Sequence, residues 1–162
     1  MHTSALRDRH AGEAILAAVA FAVATVVVAV LGSLASSRAQ DWYESLEKPS
    51  FTPPDVTFGI VWTILYVLIG VAGWLAWRSS ERPHPTIWWA IQMALNLAWT
   101  AVFLGLESPV GGLVVIVPLV AAVAIDVQVS ARVSASAGIL LFPYLMWCVF
   151  AVALNIGVVV LN

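Results

Sequence analysis

Trp88, Gln92, Asn96, Trp99 and Phe103 recur at spacings of four, four, three and four within one apolar run, so on a helix they share a face. Amides set among indoles in apolar surroundings have two uses: they bond neighbouring helices, or they offer a donor and an acceptor to a ligand. Either amide alone fits both uses, and the flanking Trp99 and Phe103 turn the face toward a pocket wall. Phe58, Trp62 and Tyr66 stand at i, i+4 and i+8, and Tyr144, Trp147, Ala151 and Asn155 share a face of the last apolar run. Three aromatic walls are therefore available to a pocket. Nucleophilic or metal chemistry is not expected, because His2, His10 and His84 fall in the N-terminal tail or a connecting loop, away from the aromatics. Gly70 and Gly73 follow no strand and so make no phosphate loop. No catalytic residue, metal site or resident cofactor is assigned, and no nucleic-acid partner is expected.

Stacking walls need elements to hold them. Of 162 residues, 62% are hydrophobic and 10% charged, against about a quarter charged in soluble domains. This is the composition of a membrane protein. Uncharged runs at 14–37, 56–77, 83–106, 108–125 and 133–162 each approach or exceed the roughly 20 residues that a spanning helix needs. Period-2 alternation is absent, which favours helices over a barrel. The expected fold is all-α, a five-helix integral membrane bundle in a single domain over residues 1–162, with helices at 14–36, 56–78, 85–106, 109–129 and 135–160. The first run is too long for a signal-peptide core and reads as an anchor. Cys148 is the one cysteine, so no disulfide framework exists.

Residues 41–54, DWYESLEKPSFTPP, are the only long connection. Trp42, Tyr43, Leu46 and Phe51 make it too aromatic for a disordered linker. Residues 42–47 suit one short helical turn, after which Pro49, Pro53 and Pro54 forbid more. An ordered lid is expected. Arg7, Arg9, Arg78, Arg82 and Arg132 fall on one side of the five-span topology and Arg38 and Lys48 on the other, so the N-terminus is expected inside, with the C-terminus and the lid outside. The first helix, mostly Ala and Val, reads as a support. Trp74 and Trp77 beside Arg78 read as an interfacial aromatic belt. Pro118 suggests a local kink, and Asp126 reads as interfacial and solvated. On the third helix Ala90, Ala94, Ala98, Ala101 and Gly105 form a small-residue stripe, an interface within the bundle or between subunits.

The strings WYESLEKPSFTPP, FGIVWTILY, ALNLAWTAVFLG with Gln92 before it, and PYLMWCVFAVALN, in this order, resemble the TspO/MBR family of translocator and tryptophan-rich sensory proteins. The resemblance covers residues 42–155. It implies a five-helix membrane protein, commonly a dimer, that binds porphyrins such as protoporphyrin IX in a cavity under the lid among helices 1, 2, 3 and 5. The implied wall is Trp42, Phe51, Trp62, Tyr66, Asn96, Trp99, Tyr144 and Trp147, and the small-residue stripe matches where family dimers meet. A bacterial cell membrane is the expected location.

Two positions depart from the family pattern. Many members carry tryptophan where this chain has Phe51, and that tryptophan, paired with the one matching Trp147, is associated with light-dependent porphyrin breakdown. Phenylalanine stacks but is far harder to oxidise, so binding is expected and degradation is not. The chain ends LNIGVVVLN, without the tyrosine and basic residue of the sterol motif of animal members, and cholesterol binding is not expected. The leading reading is a porphyrin-binding receptor or stress regulator, whose ligand carboxylates could reach Arg38 or Lys48. A porphyrin-degrading enzyme and a transporter of another amphipathic molecule are the alternatives, the latter weakened by the absence of duplicated halves.

Overall fold

A computed structural model describes residues 11–162. Helix α1 (Ala11–Arg38) leads into the short α2 (Gln40–Ser45), followed by α3 (Asp55–Arg78) and α4 (His84–Thr100). A π-helical turn (Ala101–Gly105) extends α4, and α5 (Pro109–Val133) and α6 (Ala135–Leu161) complete the chain. Five helices are long and apolar enough to cross a membrane, as the sequence predicts, and no strand occurs among the described residues.

The helix ends follow local chemistry. Pro54 immediately precedes α3, whose first turn carries Asp55 and last turn Arg78, both matched to the helix dipole. Ser108 caps α5 by accepting from Gly111 N–H at 3.2 Å, with Pro109 in the first turn. Ser134 does the same for α6 through Ala137 N–H. Between the π turn and α5 the chain reverses through Glu107 at φ 52°, the one non-glycine residue with positive φ among those described. Helix α5 runs unbroken through Pro118, and α6 through Pro143; both prolines face outward.

Helices α3, α4, α5 and α6 close around Ile69, Leu119, Val123 and Leu141, none of which is exposed at all. Trp89 locks α4 to α3 by donating its indole N–H to Ile69 O at 3.0 Å, and Phe21 of α1 meets that indole edge-on at 4.7 Å. Helix α1 lies on the outside of this core. Only 11% of its spanning window is buried, against 33% for each of the last three helices. It approaches α3 closely at Gly70, where an added Cβ would lie 3.1 Å from the Thr25 hydroxyl.

Asp126 corrects an expectation. It is wholly buried rather than solvated, with Oδ1 accepting from Ser130 Oγ at 3.0 Å and Oδ2 without a hydrogen-bond partner among the described residues. Its position near the end of an apolar run suggested the water interface, but α5 continues past it to Val133 and α6 packs alongside.

The connection between α1 and α3 is ordered, with its helical turn at Gln40–Ser45, slightly earlier than the expected 42–47. Pro49 seats against Gly157 of α6, where any Cβ would collide with the proline ring. Next to it, Glu47 N–H donates to Asn162 Oδ1 at 3.0 Å and Asn162 Nδ2 donates back to Glu47 O at 3.0 Å. Lid and last helix are therefore clamped by a steric notch and a reciprocal pair. Arg38 and Lys48 lie at this lid end, whereas Arg78, Arg82 and Arg132 lie at the opposite end; Arg7 and Arg9, which entered the orientation expectation, fall outside the described residues.

Candidate functional site

A cavity of about 880 Å³ lies between α1 and α3. Tyr43 and Glu44 of α2 roof it, and Trp99, Thr100 and Phe103 of α4 and the π turn form its back. Helical spacing on α3 delivers Phe58, Trp62 and Tyr66 to one wall. Trp62 is the centre of this wall. Its ring stacks on Tyr66 at 5.4 Å, leans on Trp99 at 6.4 Å, and receives the edges of Tyr144 at 6.2 Å and Trp147 at 6.5 Å. Trp99 in turn stacks on Phe103 at 5.5 Å and 10°.

The π turn has a local reason. Leu106 N–H donates to Ala101 O, five residues back, at 2.9 Å, which inserts one extra residue into the turn carrying Phe103. Phe103 also meets Trp42 at 5.8 Å and Tyr43 at 6.4 Å. One phenyl ring thus touches the lid on one side and the cavity's indole on the other.

Behind the rings runs a hydrogen-bond chain. Tyr66 Oη donates to Asn96 Oδ1 at 2.9 Å, and Asn96 Nδ2 donates to Tyr144 Oη at 3.1 Å. Asn96 thereby ties α3, α4 and α6 together, and its amide is spent on helix packing. Trp99 Nε1 reaches Asn155 Oδ1 at 3.5 Å, and Asn155 Nδ2 donates to Pro109 O at 2.8 Å. Gln92 is fully buried, and neither of its amide atoms has a partner among the described residues.

Of the residues expected in the wall, Trp62, Tyr66 and Trp99 line this cavity. Trp42 sits behind Phe103, while Asn96 and Tyr144 are fully buried behind Tyr66 and Trp62. Trp147 lies in a second layer, edge-on to Phe58 at 5.6 Å and to Trp62. Phe51 is 54% exposed and touches Phe150 at 6.3 Å, which in turn meets Trp147 at 5.4 Å. The cavity is therefore bounded by helices α1 to α4 and the π turn, and the last helix backs it without lining it.

Helix α1 is more than a support. Ala18, Ala22, Thr25, Ala29, Gly32 and Ser36 line the cavity. Their spacing of alternating fours and threes was visible in the sequence as a strip of small side chains. Trp74 donates its indole N–H to Ala14 O at 3.0 Å and closes the far end, with the Arg78 guanidinium 5.3 Å from its ring. Arg38 and Lys48 do not line the cavity. Arg38 borders a separate depression with Ala101, Gly105 and Glu107, and the Lys48 ammonium donates to the carbonyls of Glu44 and Leu46, 4.8 Å from the Tyr43 ring centroid. Burial, and secondarily the negative charge of Asp55, hold the Tyr43 phenol above its usual pKa. On the outer face of α4, Ala90, Ala94, Ala101 and Gly105 are exposed and Ala98 is half-buried.

Fold and cavity together define an integral membrane protein of five helices whose aromatic pocket is roofed by an ordered extramembrane turn. The TspO/MBR family profile matches residues 19–161. The Tryptophan-rich protein TspO of Archaeoglobus fulgidus is 39% identical, over 91% of this chain and 98% of its own length. Protein CrtK of Rhodobacter capsulatus is 35% identical over 86% of this chain and 89% of its own, and the Translocator protein of Sus scrofa 37% identical over 83% and 85%. The chain belongs to the TspO/MBR family.

Proposed function

We propose that this protein is a membrane receptor for a planar aromatic tetrapyrrole of the protoporphyrin IX type, held in the cavity beneath α2. The observation that carries this reading is the continuous wall of Phe58, Trp62, Tyr66, Trp99 and Phe103 around about 880 Å³ of space. A flat macrocycle placed there gains apolar burial and ring-face contact at once. The tetrapyrrole itself comes from the family resemblance, and the proposed setting is a bacterial cell membrane with α2 outside. Titrating protoporphyrin IX into the purified protein and following tryptophan fluorescence is the test, since Trp62 and Trp99 line the cavity. Saturable quenching at micromolar porphyrin is expected. Quenching that rises linearly to high micromolar concentration overturns the reading.

We propose further that two copies meet through the outer face of α4. What supports this is the exposure of the small residues Ala90, Ala94, Ala101 and Gly105 on one side, which favours close approach of two backbones.

A further inference from the structure

The lid end of the cavity carries charge of one sign. Among the described residues lining it, the acidic side chains are Glu44 of α2 and Asp55 at the start of α3, and no lysine, arginine or histidine joins them. Around them stand hydroxyls and an amide: Ser36, Ser37, Gln40 and Tyr43. The nearby cations stay outside the lining. The Lys48 ammonium is bonded to two backbone carbonyls, and Arg38 opens onto the neighbouring depression. Glu44 is held in place by Gln40, whose Nε2 donates to Oε1 at 2.9 Å. Below this rim the walls are chiefly aromatic and aliphatic, and the hydroxyls of Thr25, Thr63 and Thr100 there are bonded back to carbonyls of their own helices. Both carboxylate residues are exposed at the mouth, so water and salt screen their pull on a bound charge and a preference of only a few fold is expected.

We propose that the lid end of this cavity is a cation-selecting subsite, which takes an aromatic ligand carrying an ammonium group in preference to the carboxylate built on the same rings. The aromatic body lies against Trp62 and Trp99 and the ammonium sits at the rim facing Glu44 and Asp55. This rests on the reading of the cavity as the ligand site. It turns a dicarboxylate such as protoporphyrin IX the other way round, with its acid groups away from the rim, and makes its neutral diester the better ligand.

The experiment uses the full chain in a non-ionic detergent at low salt and two probes of one apolar body, 1-pyrenemethylamine and 1-pyrenecarboxylate, each followed by energy transfer from tryptophan. The amine is expected to bind about 3- to 10-fold more tightly than the carboxylate, with the ratio shrinking as salt is raised. Glu44→Gln combined with Asp55→Asn is expected to bring the ratio close to one, and Glu44→Gln alone to lower it in part. Equal or tighter binding of the carboxylate overturns the proposal, as does a preference that survives the double substitution, or failure of both pyrenes to bind. Protoporphyrin IX and its dimethyl ester form the second arm, and the ester is expected to bind more tightly. If neither porphyrin saturates while the amine preference holds, the tetrapyrrole reading falls and the charge selection stands.

Discussion

Trp62 touches four other aromatic rings and lines the cavity, whereas Trp147 touches Trp62 from behind. Their substitutions should therefore separate. Trp62→Ala removes a stacking surface worth about 1 kcal/mol, or roughly fivefold in protoporphyrin IX affinity, while Trp147→Phe is expected to stay within about twofold; equal losses in a fluorescence titration would place Trp147 in contact with ligand. Illumination gives a second prediction. Among the described residues Phe51 meets one aromatic ring, that of Phe150, and stands outside the cavity, so the porphyrin absorption band should fade no faster with wild-type protein than in a protein-free control. Rapid, Trp147-dependent fading would move the enzyme reading to first place. The α3 rings were legible from their spacing because aromatic side chains are rare enough for periodicity to show. Asp126 was not, since its burial depends on the helices packed against α5, which the local sequence of α5 does not encode.

Elements carry the next layer. The lid is positioned by Pro49 on Gly157 of α6 and by the pair with Asn162 just past the end of α6, although α6 lines none of the cavity. Gly157→Ala should push the 46–54 segment off α6 without disturbing the core, and faster amide hydrogen exchange at Glu47 and Thr52 is the measurement; unchanged exchange would show that the proline ring accommodates the methyl group. On α4, Ala94 is exposed, so Ala94→Leu leaves the bundle intact and obstructs only an outside neighbour. A shift from dimer to monomer in mild detergent is expected, and an unchanged dimer would move the interface to another face. The five spanning helices were readable from charge-free length alone. The part played by α1 showed only as a strip of small side chains, because in lipid an outer face and a cavity face are both apolar and the usual polar contrast between them vanishes. The π turn was equally silent: AVFLG reads as ordinary helix, and only the hydrogen bond from Leu106 to Ala101 reveals the extra residue.

At the scale of the whole molecule, four helices form a packed core and α1 is laid against it, with 11% of its span buried. The cavity straddles that boundary, because one wall belongs to α1 and the others to α3, α4 and the lid. Local opening starts where apolar contact inside a protein is sparsest. The cavity is thus built on the joint between the least buried spanning helix and the packed core. Loss of ligand binding should precede loss of helix on heating in detergent, with porphyrin quenching disappearing several degrees below the circular-dichroism transition; coincident transitions would show that α1 melts with the core. In a bilayer the same joint should make lateral pressure a determinant of affinity: lipid that presses α1 against α3 is expected to tighten the pocket, so that porphyrin binds more strongly in bilayers than in detergent.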